Sequence, residues 1–227
     1  MNYGNTLYLF DVDLFNNIEK GIINLLSRYA FLKTIKQKET VVFEDDLSTS
    51  NLYIVKSGVI IISKTYPHGN EKSLSLKRSG EPFGYLSIID KGPRFGKASA
   101  LIDSEYWVLD GFFVKNHLLQ DVQFNLNLMK VYTAYIRNCD DLNGPMYGKT
   151  AQKKILFQLL RIGNISNEGC LCIDSYINQT VISSFAGLAR ETVSREINKL
   201  KLMKIIIIDD QNNMLINLKE VESILLR

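Results

Sequence analysis

The chain reads as an α+β protein with an N-terminal antiparallel β-roll, a long connecting helix and a C-terminal winged helix-turn-helix. Three observations predict this. Short runs rich in Val, Ile, Leu and Tyr recur between Thr34 and Leu109 with polar turns between them. Val114 to Leu142 contains neither Gly nor Pro and repeats apolar residues at four- and three-residue steps. The last third of the chain places a helix with a cationic face directly before two short aliphatic strands. At 227 residues and 46% hydrophobic, the chain can bury two modest cores.

In chain order, Phe15 to Phe31 has helical periodicity through Ile18, Ile22, Leu25, Leu26 and Tyr29, and predicts a helix packed on the roll. The strand runs are Val41-Val42-Phe43, Leu52 to Val55, Val59 to Ile62, Ser73 to Leu76 and Tyr106 to Leu109. Gly58, Gly69, Gly80 and Gly84 fall where turns are needed. Val114 to Leu142 predicts a helix of roughly 40 Å. Leu118, Val122, Asn125, Met129, Tyr132, Ile136 and Cys139 form its coiled-coil seam, along which two chains would pair, with Asn125 fixing register. Packing of that stripe on its own roll is the alternative. Leu119 and Leu126 lie beside the seam and are expected to cover the roll. Asn143-Gly144-Pro145 predicts a helix break and hinge. The expected domains are therefore 1–113 (roll with its N-terminal helix), 114–144 (dimerisation helix and hinge) and 145–227 (winged helix-turn-helix module).

Ala151 to Ile162 reads as an amphipathic scaffold helix, with Ile155, Leu156, Leu159 and Leu160 inward. Asn178 is an N-cap candidate for a short helix from Gln179 to Ala186. Gly187 supplies a tight turn, and Leu188 to Leu200 forms a second helix. Its period puts Val193, Ile197 and Leu200 on one stripe and Arg190, Glu191, Ser194 and Arg195 on the other. Arg matches the O6 and N7 acceptors of guanine with two donors, and a Glu carboxylate accepts from the cytosine amino group. This is a helix-turn-helix whose second helix enters the major groove of double-stranded DNA. Taken alone, the charged stripe also fits an ordinary solvated face with Glu191 and Arg195 as an i, i+4 pair. The strands Ile205 to Ile208 and Met214 to Ile216, joined by Asp209 to Asn213, form a wing behind it, and Leu218 to Leu226 closes the module.

The run Gly187-Leu188-Ala189-Arg190-Glu191-Thr192-Val193-Ser194-Arg195 resembles the recognition-helix signature of the CRP/FNR superfamily of bacterial transcription regulators. The resemblance implies that the roll is of the cyclic-nucleotide-binding type and that the chain acts as a homodimer on an inverted repeat of TGTGA-like half-sites. It also implies that Arg190 and Arg195 contact guanines, Glu191 the cytosine side of a pair and Thr192 a phosphate, with Gln179 and Thr180 near the backbone. Asn178-Gln179 stands where the family often has Thr-Arg. The roll resembles the family through Leu52-Tyr53-Ile54-Val55, a hairpin Gly, and Gly80-Glu81 followed by Phe83-Gly84. Two usual glycines are replaced, in Gln37-Lys38-Glu39 and Glu44-Asp45-Asp46.

In cyclic-nucleotide-binding members a Glu after Phe-Gly grips the ribose, and an Arg-Ser or Arg-Thr pair grips the cyclic phosphate. Here Tyr85 follows Gly84, and Phe95 follows Arg94. Cyclic AMP is therefore not the expected effector. Gly84, Tyr85, Arg94, Lys97 and Ser99 remain the candidate effector-binding residues, for an unidentified small molecule.

Basic residues number 27 and acidic residues 24, and the excess lies beyond residue 144. Phosphate binding must then depend on placement and on doubling in a dimer. No apolar run is long enough to span a membrane and the start does not resemble a signal peptide, so a cytoplasmic protein is expected. Three cysteines, Cys139, Cys170 and Cys172, cannot supply the four thiolates of an iron-sulfur cluster. Cys170 and Cys172 read as strand residues, and His68 and His117 as solvated, so no metal site is expected. There is no Gly-rich phosphate loop or nucleophile-base spacing of an enzyme. A signalling adaptor that uses only roll and coiled coil would leave the Arg190, Glu191, Arg195 face unexplained. Activation would require RNA polymerase as a further partner.

Overall fold

The computed structural model describes residues 9, 11–47, 50–146, 150–165 and 170–226. Two compact units divide the chain: Met1–Asn70 with Leu74–Asn138, and Glu71–Ser73 with Cys139–Arg227.

In the first unit, helix α1 (Lys20–Tyr29) is shorter at both ends than its periodicity predicts. Phe15 closes a 3-10 turn, and Phe31 belongs to strand β1 (Ala30–Ile35), where it pairs with Val108. Sheet pairing there overrides the local helical pattern. Strands β2 (Thr40–Val42), β3 (Leu52–Ser57), β4 (Ile60–Tyr66), β5 (Asn70–Lys77) and β6 (Pro82–Phe83) follow, then the short helix α2 (Leu86–Asp90), β7 (Lys97–Ala100) and β8 (Ser104–Leu109). They build two four-stranded sheets, ordered β1-β8-β3-β6 and β2-β7-β4-β5, with antiparallel registers such as Tyr53↔Val108 and Ile61↔Ser99. Successive side chains on a strand point to opposite faces, and β3 and β8 bury both. Tyr53, Val55, Tyr106 and Val108 pack with Ile35, Val42, Ile60 and Phe83. Leu52, Ile54, Trp107 and Leu109 pack with Phe15, Phe113 and Phe124.

The two turns without the expected glycines keep a left-handed residue all the same: Lys38 has φ 71° and Asp45 φ 61°. Hydrogen bonds hold them there. Asp103 accepts from Gln37 N at 2.8 Å and pairs with Lys36 Nζ at 2.8 Å, while Asp45 N donates to Arg94 O at 3.0 Å. A left-handed conformation costs a non-glycine residue about 1–2 kcal/mol, partly offset by the chain entropy glycine would lose. Lys38→Gly is expected to stabilise the protein by about 0.5–1 kcal/mol in urea unfolding; loss of stability would show that the Lys38 side chain contributes more than its strain.

The helix predicted from Val114 is interrupted. Helix α3 (Gly111–Asn116) ends at His117, a 3-10 turn covers Leu118–Gln120, and helix α4 (Val122–Met146) starts afresh. Asp121 causes the restart: with extended backbone, it accepts from Phe124 N at 2.7 Å and from Glu19 N at 3.1 Å, which makes it an N-cap inside the predicted helix. The helix end expected at Asn143-Gly144-Pro145 comes one residue later, at Met146.

In the second unit, α5 (Ala151–Ile162) is capped by Thr150. Then come β9 (Asn164–Ile165), β10 (Leu171–Ile173), α6 (Gln179–Ala186), α7 (Arg190–Leu202), β11 (Ile206–Ile208), β12 (Met214–Ile216) and α8 (Leu218–Leu226). The sheet order is β11-β12-β10-β9. Ile155, Leu156, Leu159, Ile173, Ile182, Phe185, Val193, Ile197, Leu200 and Val221 are buried. Cys172 is half-buried in β10, and burial pushes its thiol above the ordinary value, with Asp174 and Asp209 adding to the effect. Among the described residues no helix is long and apolar enough to cross a membrane.

Candidate functional site

The second unit presents a helix pair held at a fixed turn. Asn178 Oδ1 accepts from Thr180 N at 2.9 Å and Val181 N at 3.2 Å, which fixes the start of α6. Gly187 ends it with φ 63°, and Leu188 N returns to Ser183 O at 3.2 Å. A Cβ at Gly187 would meet nothing within 4 Å, so the turn demands a backbone conformation there and not space. Asn178→Ala is expected to cost about 1 kcal/mol, read as a lower thermal midpoint of the second unit's transition.

Helix α7 buries Val193, Ile197 and Leu200 and leaves Arg190, Glu191 and Arg195 exposed, with Thr192 and Ser194 half-buried. Glu191 lies in the first turn, where the helix dipole favours an anion. A shallow concavity over this face is lined by Gln179, Arg190, Glu191, Ser194 and Arg195, joined by Asn198, Lys199 and Leu202. Thr180 is exposed and lines a separate groove that Gln179 and Arg190 also border, facing Ile208 and Asn212 of the wing. Six of the seven residues expected at DNA thus line these two adjoining concavities, whereas Thr192, half-buried, lines neither. The sequence reading missed Asn198 and Lys199, although Lys199 follows Arg195 by one helical turn. It also missed Glu196, which is buried between the cations: Oε1 accepts from Lys199 Nζ at 2.9 Å and lies 3.5 Å from Arg195 Nε. The bond from Lys199 holds its carboxyl below the usual value against the opposing effect of burial. Glu191 and Arg195 do not form the i, i+4 pair among the described contacts; Arg195 turns to its neighbour instead.

The wing tip is a closed turn. Asp209 accepts from Gln211 N at 2.9 Å, Asn213 N at 2.8 Å and Asn213 Nδ2 at 3.0 Å, and Asn212 takes φ 63°.

In the roll, the expected effector residues separate into two groups. Gly84, Tyr85 and Arg94 line a cavity of about 70 Å³ together with apolar neighbours such as Ile62, Phe83, Phe95 and Tyr135. Lys97 and Ser99 do not line it. They alternate with Ala98, which does, so strand period turns them away; Ser99 Oγ lies 3.4 Å from Thr40 Oγ1. Arg94 is 2% exposed, so it lines the cavity without being solvated. Nη1 donates to Gly84 O at 2.6 Å and Ser87 Oγ at 2.8 Å, and Nη2 donates to Asn51 O at 3.0 Å. Burial lowers its pKa, opposed by Tyr53 and Asp46. Gly84 has φ 77°, and a Cβ there would come within 2.8 Å of the Tyr53 ring and 2.9 Å of Arg94 Nη1. A cyclic nucleotide does not fit these residues as arranged: both terminal nitrogens of Arg94 donate to protein oxygens, Tyr85 replaces a carboxylate, and the open space is well below the roughly 300 Å³ at the low end of small-molecule sites.

On α4 the exposed apolar stripe keeps Val122, Met129 and Ile136 of the predicted seam and has Leu126 and Thr133 in place of Asn125 and Tyr132. Val122, Leu126, Met129 and Ile136 are exposed, with Thr133 between them. Leu118 is fully buried in its own unit, Asn125 Nδ2 donates to Leu119 O at 2.9 Å, and Tyr132 meets Tyr85 edge-on at 5.2 Å. These three face inward because the 3-10 turn and the tyrosine contact anchor that side of the helix. Leu126, expected over the roll, faces out. The side chain of Cys139 lies outside the described residues.

Comparison with known proteins finds a cyclic nucleotide-binding domain over residues 32–120 and a Crp-like helix-turn-helix domain over residues 153–224. The cyclic AMP receptor protein of Thermus thermophilus is 27% identical over 82% of this chain and 84% of its own. The anaerobic regulatory protein of Bacillus subtilis is 21% identical over 81% and 79%. Among solved structures, FixK2 from Bradyrhizobium japonicum superposes with a TM-score of 0.73 at 21% identity, covering 86% of this chain and 96% of that one.

Proposed function

The chain belongs to the CRP/FNR superfamily of transcription regulators, and on that premise we propose that it works in the cytoplasm as a homodimer on an inverted repeat of TGTGA-like half-sites. The observation that carries this reading is the exposed Arg190, Glu191, Arg195 face of α7 on a capped helix-turn-helix. Arg190 and Arg195 read guanines and Glu191 the cytosine side; Thr192 and Thr180 take phosphates, and Gln179 and Ser194 border them. Pairing along α4 sets two reading helices about 34 Å apart, one duplex turn. The division into sensor (1–113), dimerisation helix and hinge (114–144) and DNA-binding module (145–227) follows, and activation would add a contact with RNA polymerase.

The signal enters at the roll and biases the α4 pair between competent and incompetent arrangements. Tyr85 and Tyr135 support this, since the cavity is lined by the roll and by α4 itself. The committed hydrogen bonds of Arg94 favour an effector other than a cyclic nucleotide. Cyclic AMP is expected to give no heat of binding in calorimetry and no gain in DNA affinity; saturable binding at micromolar concentration would overturn that. The function as a whole is tested by mobility shift: selective binding to an inverted TGTGA repeat over scrambled duplex is expected, and equal binding to both refutes it.

A further inference from the structure

We propose that Glu196 is the positioning residue of the reading face, holding Arg195 and Lys199 so that one meets a base edge and the other a phosphate. The proposal rests on the DNA-reading role of Arg195. The Glu196 side chain is 10% exposed, whereas those of Arg195 and Lys199 are 65% and 55% exposed. A carboxylate is thus set under a surface meant for a polyanion, where its charge alone works against binding. Its geometry accounts for its presence. Arg195 lines the concavity, and Oε1 lies 3.5 Å from its Nε, the edge nitrogen, so this contact does not use the two terminal nitrogens of the guanidinium. Those two form the fork that matches guanine O6 and N7. The same oxygen accepts from Lys199 at 2.9 Å, one turn further along the helix. Holding long side chains in their bound arrangement lowers the entropy lost on association. Glu196 therefore trades some non-specific attraction for discrimination.

The test uses the full chain and the duplex that the wild-type protein selects from a random library, so a wrong half-site in the proposed function does not blunt it. Affinities for that duplex, its single-base variants and a random duplex are measured for wild type, Glu196→Met and Glu196→Gln, each also in an Arg195→Ala background. Glu196→Met is expected to bind the random duplex as tightly as wild type or tighter, and to lose about five- to fiftyfold in specificity ratio. That loss is concentrated at the base pair where Arg195→Ala relaxes discrimination. Glu196→Gln, which folds isosterically and keeps an acceptor, falls between. In the Arg195→Ala background neither change moves the ratio. An unchanged ratio, an equal shift in specific and random affinity, or the same loss without Arg195 would each overturn the proposal.

Discussion

Leu126→Glu combined with Met129→Glu is expected to convert the protein to a monomer and to weaken binding to an inverted repeat by about 100- to 10,000-fold, the advantage a second tethered site provides. Both side chains are exposed, at 48% and 61%, on the outward stripe of α4 that runs Val122, Leu126, Met129, Thr133, Ile136 at alternating four- and three-residue steps. That spacing is the seam of a two-stranded coiled coil, and four facing carboxylates would have to be desolvated against one another to close it. Neither residue belongs to the buried set around Phe124 and Leu128, so each unit should keep its fold. Sedimentation velocity reads the oligomeric state, and mobility shift reads the affinity. A variant that remains dimeric would move the interface elsewhere. Asn125→Leu provides the contrast: it removes a hydrogen bond to Leu119 O and should leave dimerisation largely intact.

Arg195→Ala is expected to cost about 1–3 kcal/mol per half-site and to relax specificity at one base pair in each. Arg190→Ala should do the same at a different pair. The two are exposed on the same face of α7 as Glu191, whereas Val193, Ile197 and Leu200 fix the opposite face in the core, so the loss is one of recognition and not of folding. Binding to a library of single-base variants checks it. A uniform drop across all sequences would make these arginines phosphate contacts only.

The second unit was largely legible from sequence. Helices α5, α6 and α8 have the bounds that periodicity and capping predict, and α7 departs from the expected span by two residues at each end. Here local pattern and tertiary packing agree. The roll was legible where strands carry aliphatic runs and opaque where they do not: β7 reads Lys-Ala-Ser-Ala, a strand by pairing with β2 and β4 and not by propensity. The connecting helix was misread because absence of Gly and Pro says nothing of a cap. Asp121 stops the pattern through one carboxylate bonded both to its own helix and to Glu19, a partner 102 residues away in sequence. Of the expected seam, Val122, Met129 and Ile136 are exposed, whereas Tyr132 and Asn125 make contacts within their own chain that spacing alone does not reveal. Arg94 shows the same limit: residue type indicated an anion site, and only tertiary structure revealed that its terminal nitrogens donate to Gly84 O, Ser87 Oγ and Asn51 O.

The hairpin behind the reading helix has a further bearing on how a duplex would be gripped. Its tip carries Asp209 and Asp210, and no lysine or arginine occurs from Ile205 to Leu218. Carboxylates repel a sugar-phosphate strand, so this tip is expected to fend off the backbone instead of clasping it. Phosphate contacts are then expected from α6 and α7, and the ionic-strength dependence of binding is expected to follow the α7 cations.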